Sequence, residues 1–141
     1  MPNILSMLFG SIVVFILGGL WYGPLFSRPW MTGMGWDVSN KLQMDAMKKA
    51  AGPAYAQQFM GTLLMATALS TVIWSFSIAA PFLQDWQRAL LTGTTLWCGV
   101  ILPVKYGEHL WGKRPLSVFC IDAGYYFLAV NILSFILTLW K

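Results

Sequence analysis

Residues 4–22 read ILSMLFGSIVVFILGGLWY, a run without one charged side chain, and it decides the fold. At 1.5 Å per residue, a helix of that length reaches about 28 Å, close to a hydrocarbon core of about 30 Å. A cleaved secretory signal would need a basic start and a small-residue cleavage site. Met1-Pro2-Asn3 supplies no basic residue, and the run ends in Gly-Gly-Leu-Trp-Tyr-Gly-Pro, so the segment is expected to be retained as a span. Three more apolar runs follow: 54–80, between Pro53 and Pro81; 89–106, where Pro103 is expected to bend the last turn; and 116–140, behind Pro115. A lone strand would leave backbone groups unpaired in lipid, so each run must be a helix. The expected architecture is an all-α integral membrane four-helix bundle forming a single domain over 1–141.

Composition agrees. Charged residues are only 10% of the 141-residue chain and apolar types 57%, with a mean hydropathy of +0.63. A water-facing surface needs about a quarter charged residues, so lipid must be part of this chain's solvent. The eight Trp residues fit the membrane interface, where indole is half apolar and half hydrogen-bonded. The net charge of +4 does not point to nucleic acid, because the charges are few and sit between the apolar runs. They set topology instead. Arg28, Lys41, Lys48, Lys49, Lys105, Lys113 and Arg114 fall on the side of the first and third loops; only Arg88 and Lys141 fall on the other. That bias makes the first and third loops cytoplasmic and puts both termini outside. Cys98 and Cys120 lie inside apolar runs and read as small apolar residues.

The first loop holds Ser39 and Asn40 as helix caps, then Leu42, Ala46, Met47 and Ala50 on one face with lysines nearby. This predicts a short amphipathic helix over 40–51, lying on the inner surface against lipid or protein. Tyr22-Gly23 followed by Arg28-Pro29 is echoed by Tyr106-Gly107 followed by Arg114-Pro115. The echo is consistent with two pseudo-repeated helix pairs, or with ordinary interface chemistry at inner helix ends. Helices in lipid associate through small residues and interhelical hydrogen bonds. The expected seams are Ser6, Gly10 and Gly18 in the first span, Ala66 with Ser70 and Thr67 with Thr71 in the second, and Thr95 with Gly99 in the third.

Asp122 carries the most information, because an ionised carboxylate about two turns into a span is costly unless paired or wet. Around it the sequence offers Lys105, Glu108, His109 and Arg114 at the same end, and Asn131 deeper in. One reading is a polar relay from His109 and Glu108 to Asp122; the other is a structural salt bridge from Asp122 to Lys105 or Arg114. The second is preferred, since no further carboxylate stands mid-membrane to continue a path. A single His beside a single Glu lacks the ligand set of a zinc or iron site. No cofactor is expected beyond bound lipid, and His109 alone does not support a haem or pigment contact. No nucleophile–base pair stands out, so no enzyme is expected.

Gly19-Leu20-Trp21-Tyr22-Gly23-Pro24-Leu25-Phe26 with Trp30-Met31, and Arg114-Pro115-Leu116 with Ile121-Asp122-Ala123-Gly124-Tyr125, resemble a bacterial membrane family catalogued as domain of unknown function 1761. The resemblance covers most of the chain. It implies a multi-pass protein of the bacterial inner (cytoplasmic) membrane with four helices, and no activity. It also implies Asn at the place of Asp122, which makes that carboxylate particular to this chain. The expected function is a non-catalytic accessory or structural subunit of a larger membrane complex, of respiratory or photosynthetic type. Its partners would be lipid and other integral subunits, or a second copy. The alternative is a small homo-oligomeric transporter or channel with a polar path through Asp122 and Asn131.

Overall fold

A computed structural model describes residues 3–140, and the described chain is helical almost throughout. The elements are α1 (Ile4–Leu20), α2 (Ser27–Gly33), α3 (Lys41–Ala79), α4 (Asp85–Leu96), α5 (Leu102–Trp111) and α6 (Leu116–Leu139). A kinked segment, Trp21–Leu25, follows α1, with Gly23 outside helical backbone at φ −97° and ψ −105°, and a widened π-type turn joins α4 to α5 through Trp97–Ile101. Four rods result: Ile4–Leu25, Lys41–Ala79, Asp85–Trp111 and Leu116–Leu139, each long and apolar enough to cross a membrane.

Local chemistry sets the ends. The Asn3 side chain accepts from the Leu5 N–H, and that of Asn40 from the Gln43 N–H, so each satisfies a donor the first helical turn leaves open. Gln87 returns a side-chain bond to the backbone of Gln84 at the start of α4. The kink and the widened turn have a proline cause. Pro24 lies inside the first and Pro103 just beyond the second; each lacks the N–H that the carbonyl one turn earlier would use. Pro103 was expected to bend the last turn of its span, and the widening falls immediately upstream of it.

The second rod differs most from expectation. The interfacial helix expected over 40–51 is not a separate element, since α3 runs unbroken from Lys41 through Pro53 to Ala79. Proline at that point leaves only the Lys49 carbonyl without its donor, and that turn is exposed, where water can bond it. At 39 residues α3 is about 58 Å long, roughly twice a hydrocarbon core. Its first turns therefore extend beyond the bundle.

At the centre stands α6. Half of its most apolar stretch is buried, against less than a third in the other rods. Val14 of α1, Ala66, Leu69 and Ile73 of α3, and Tyr125, Ala129, Val130, Leu133 and Leu137 of α6 form the core. Small residues let the rods close on one another. A Cβ on Gly10 would stand 2.5 Å from the Leu133 side chain, and one on Gly18 would stand 3.1 Å from the Tyr125 hydroxyl. Ser6, Ala66 and Ser70 are buried as expected.

Thr95 and Gly99 are exposed, and the seam of α4 is instead Ala89, Thr92 and Gly93. Thr95 follows Gly93 by two residues, about 200° round the helix, so it faces away. Gly99 falls in the widened turn, whose extra residue carries a four-residue stripe off the seam. Thr67 and Thr71 also face outward and donate their hydroxyls to the Leu63 and Thr67 carbonyls of their own helix.

Candidate functional site

The first loop end and the start of α6 meet on one motif, Ile121-Asp122-Ala123-Gly124-Tyr125, and almost every residue of it receives something. Trp21 donates its indole N–H to the Ile121 carbonyl at 3.0 Å, and Trp97 donates to the Ala123 carbonyl at 2.8 Å. Gly124 seats the Trp21 ring, which a Cβ would meet at 3.2 Å. The Tyr125 hydroxyl points to the Val14 carbonyl at 3.4 Å. Asp122 lies between the two indoles.

Asp122 is 6% exposed. Its Oδ1 accepts from the Tyr22 hydroxyl at 2.8 Å and from the Trp30 indole N–H at 3.0 Å. Its Oδ2 faces Lys105 Nζ at 3.6 Å. Lys105 in turn donates to both carboxylate oxygens of Glu108 at 3.1 Å, and Arg114 donates to Glu108 Oε2 at 3.0 Å. The signs alternate along this chain, Asp–Lys–Glu–Arg, so the cluster is neutral as a whole. Such pairing is what a desolvated carboxylate requires. Lys105 Nζ also stands 5.4 Å from the centre of the Tyr126 ring, a favourable place for a cation.

Of the expected polar residues, Asp122, Lys105, Glu108, His109 and Arg114 come together and Asn131 does not. Lys105 makes the bridge to Asp122, whereas Arg114 reaches only as far as Glu108. His109 Nδ1 lies 2.6 Å from the Arg114 carbonyl; a carbonyl only accepts, so Nδ1 carries the proton. That bond ties down the α5–α6 connection, where Lys113 takes a positive φ of 52°. Asn131 binds within its own neighbourhood, donating to the Phe127 carbonyl and accepting from Thr94 at 3.3 Å. Gly93 makes room for it, since a Cβ there would stand 2.6 Å from Asn131 Oδ1.

Composition and spacing did not link Tyr22 or Trp30 to Asp122, nor give Trp21 and Trp97 an interior role. Their signal is faint: Trp, any residue, then Gly, with Pro soon after, occurs at Trp21-Tyr22-Gly23-Pro24 and at Trp97-Cys98-Gly99 ahead of Pro103. Tyr22 and Tyr106, paired in the sequence echo, have different parts. Tyr106 is exposed and stacks near His109 and Phe119 instead.

Lys105, Glu108, His109, Arg114, Val118, Phe119 and Asp122 line a cavity of about 10 Å3, the room of a single water. Among the described residues no group of three or more His, Cys, Asp or Glu side chains could hold a metal ion. What the arrangement does chemically is fasten α1, α2 and α5 to α6.

Fold and site together define an all-helical protein with four rods of membrane-spanning dimensions, locked at one end by an ion cluster whose inner member, Asp122, is buried. The chain belongs to the family described as "Protein of unknown function (DUF1761)", whose model matches residues 5–138. Comparison with curated proteins and with solved structures gives no match.

Proposed function

We propose that this protein is a non-catalytic integral membrane protein that serves as an accessory subunit of a larger membrane assembly. The first and third loops then face the cytoplasm and both termini face outward, following the bias of basic residues. One observation carries the reading: the first turns of α3 project from the bundle with nearly every residue exposed, Leu42 at 84% among them. A helix of that length is marginal in water on its own, so an arm of this kind is a surface offered to a neighbour. The polar groups at the bundle's end are engaged with one another, which leaves the outer faces as what the chain presents.

A test is purification from native membrane in mild detergent, with mass spectrometry of everything retained. A stoichiometric set of larger membrane subunits, lost when Lys48 and Lys49 are both replaced by Glu, supports the accessory role. A clean homo-oligomer from the same membrane overturns it and moves the weight to transport. The transport reading has one support, the water-sized cavity beside Asp122. Its path would have to reach Asn131, which is bonded to Thr94 and Phe127. Proteoliposome flux that is unchanged by Asp122→Asn removes that reading.

A further inference from the structure

Outside the ion cluster, the first loop forms a second concavity. It has a volume of about 350 Å3 and is lined by Arg28, Thr32, Val38 and Ser39. Arg28 and Thr32 are four residues apart on α2, so their side chains share one face of that helix. Both are exposed. Arg28 makes no hydrogen bond or ion pair among the described residues, which is unusual next to the fully partnered Lys105 and Arg114. Ser39, which also lines the groove, is hydrogen-bonded to the acidic Asp37 beside it. Its backbone N–H and its hydroxyl both donate to Asp37 Oδ1, at 2.9 and 2.5 Å. Those two bonds, with a further one from the Asn40 backbone, hold the Asp37 carboxyl below the usual carboxylate range, and the carboxyl lies open to solvent. An arginine therefore lines the groove and an aspartate adjoins it through Ser39, and the two form no ion pair among the described residues.

We infer that this groove binds the headgroup of an aminophospholipid, with the phosphate on Arg28 and Thr32 and the primary ammonium on Asp37. Guanidinium and hydroxyl are the donors a phosphate diester takes up, and a carboxylate oxygen is the acceptor an ammonium needs. A purely anionic headgroup satisfies Arg28 and meets repulsion from Asp37, so charge complementarity selects the zwitterion. Position agrees. α2 lies at the end of the bundle where α1 leaves its rod and α6 begins, since Trp30 reaches Asp122 and Gly33 packs on Val118. That is the level at which headgroups lie. Val38 gives the groove one apolar wall at the boundary with acyl chains.

The inference rests on membrane insertion, and the two can fail separately. Resistance of the full chain to alkaline carbonate extraction tests insertion alone. The site is tested by native mass spectrometry of the full chain, released from nanodiscs holding equal parts phosphatidylethanolamine, phosphatidylglycerol and phosphatidylcholine. The wild-type chain retains phosphatidylethanolamine over the other two. Arg28→Gln lowers that retention about tenfold or more, the loss expected of one charge-assisted hydrogen bond. Arg28→Lys keeps a positive charge and retains more lipid than Arg28→Gln. Asp37→Asn removes the preference over phosphatidylglycerol and leaves retention of phosphatidylglycerol no lower than in wild type. An inserted wild-type chain with no headgroup preference, or an Arg28→Gln chain that retains lipid as wild type does, overturns the assignment. Arg28 has no partner and is exposed, so its variants leave the fold intact; Asp37→Asn keeps an Oδ1 acceptor for Ser39, and helical circular dichroism checks all three.

Discussion

Trp21 opens the kinked turn after α1 and Trp97 the widened turn between α4 and α5, each is followed two residues later by glycine, and each donates its indole to a carbonyl of α6. Their rings also rest in similar company: Trp21 on Phe26 at 4.7 Å between centres, Trp97 on Phe127 at 5.0 Å. The backbone breaks at Gly23 in the first and stays helical in the second; the difference in chemistry lies in the residue between Trp and Gly. In the first turn it is Tyr22, whose hydroxyl reaches Asp122; in the second it is Cys98, an exposed free thiol. Hooking a rod onto α6 and supplying α6 with a polar partner are thus separable jobs. Both turns do the first. Only the turn at Trp21, with Trp30 behind it, does the second.

The sharpest way to break this contrast is to remove the group that the first turn serves. Asp122→Ala strands the Tyr22 hydroxyl and the Trp30 N–H as unpaired donors and leaves Lys105 with Glu108 alone. The expected loss is about 3 kcal/mol, the low end for breaking a buried pair, because Lys105 keeps one partner. Unfolding in detergent, followed by circular dichroism, measures it. Asp122→Asn keeps an acceptor at Oδ1 for both donors but weakens their bonds to neutral ones and loses the contact to Lys105 at 3.6 Å, so about 2 kcal/mol is expected. Equal losses in the two variants would mean that Tyr22 and Trp30 contribute nothing, and the comparison would collapse.

The second turn has its own weak point one helical turn earlier. A Cβ on Gly93 would stand 2.6 Å from Asn131 Oδ1 and 3.0 Å from the Asn131 Cα, which is backbone and cannot swing aside. Gly93→Ala is therefore expected to lose about 2 kcal/mol by forcing α4 from α6. Gly99→Ala meets nothing within 4 Å and should stay within about 0.5 kcal/mol of wild type. The same unfolding experiment reads both. A costly Gly99→Ala beside a neutral Gly93→Ala would restore the seam that the spacing of Thr95 and Gly99 suggests.

Tyr22 and Cys98 then compare the two turns at the one position where they differ. Tyr22→Phe deletes a hydrogen bond to a carboxylate and keeps the ring against Trp30 and Tyr125, for an expected loss of about 1.5 kcal/mol. Cys98→Ala removes an exposed thiol and should change stability by less than about 0.5 kcal/mol. A Tyr22→Phe protein as stable as wild type would leave Trp30 and Lys105 as the only partners that matter to Asp122.

Four rods could be read from the sequence because hydropathy over about twenty residues is a local property. Asp122 was also legible, as was its bridge to a cation, though not the choice of Lys105 over Arg114, since a carboxylate within an apolar run must find a cation within reach. What could not be read depends on phase and on distance along the chain. Thr95 and Gly99 form a good four-residue stripe only while the helix is regular. The widened turn ahead of Pro103 shifts that stripe, and hydropathy does not register a turn of that kind. Tyr22 and Trp30 meet Asp122 across about a hundred intervening residues, a pairing that no local pattern encodes. The arm of α3 continues through Pro53, where the sequence predicts a break. Proline ends many helices, yet an exposed turn can give its orphaned carbonyl to water and continue.

The smallest expected effect asks whether the hooks are equivalent. Trp21→Phe and Trp97→Phe each delete an indole N–H while keeping an aromatic ring in place. The carbonyls they leave, Ile121 and Ala123, lie inside α6 and retain the bond that every helical carbonyl receives from the next turn. Each variant should therefore lose about 1 kcal/mol, the net value of one neutral hydrogen bond. If the two turns are duplicates as hooks, the losses agree to within about 0.5 kcal/mol, and the double variant loses their sum, because the two rings hold different rods. A larger loss at Trp21 would have a specific meaning. Its indole would also be setting the angle at which the next residue, Tyr22, approaches Asp122. Combining Trp21→Phe with Tyr22→Phe separates these cases: a loss smaller than the sum of the two singles assigns the excess to Tyr22, and a simple sum keeps the hook and the polar arm independent.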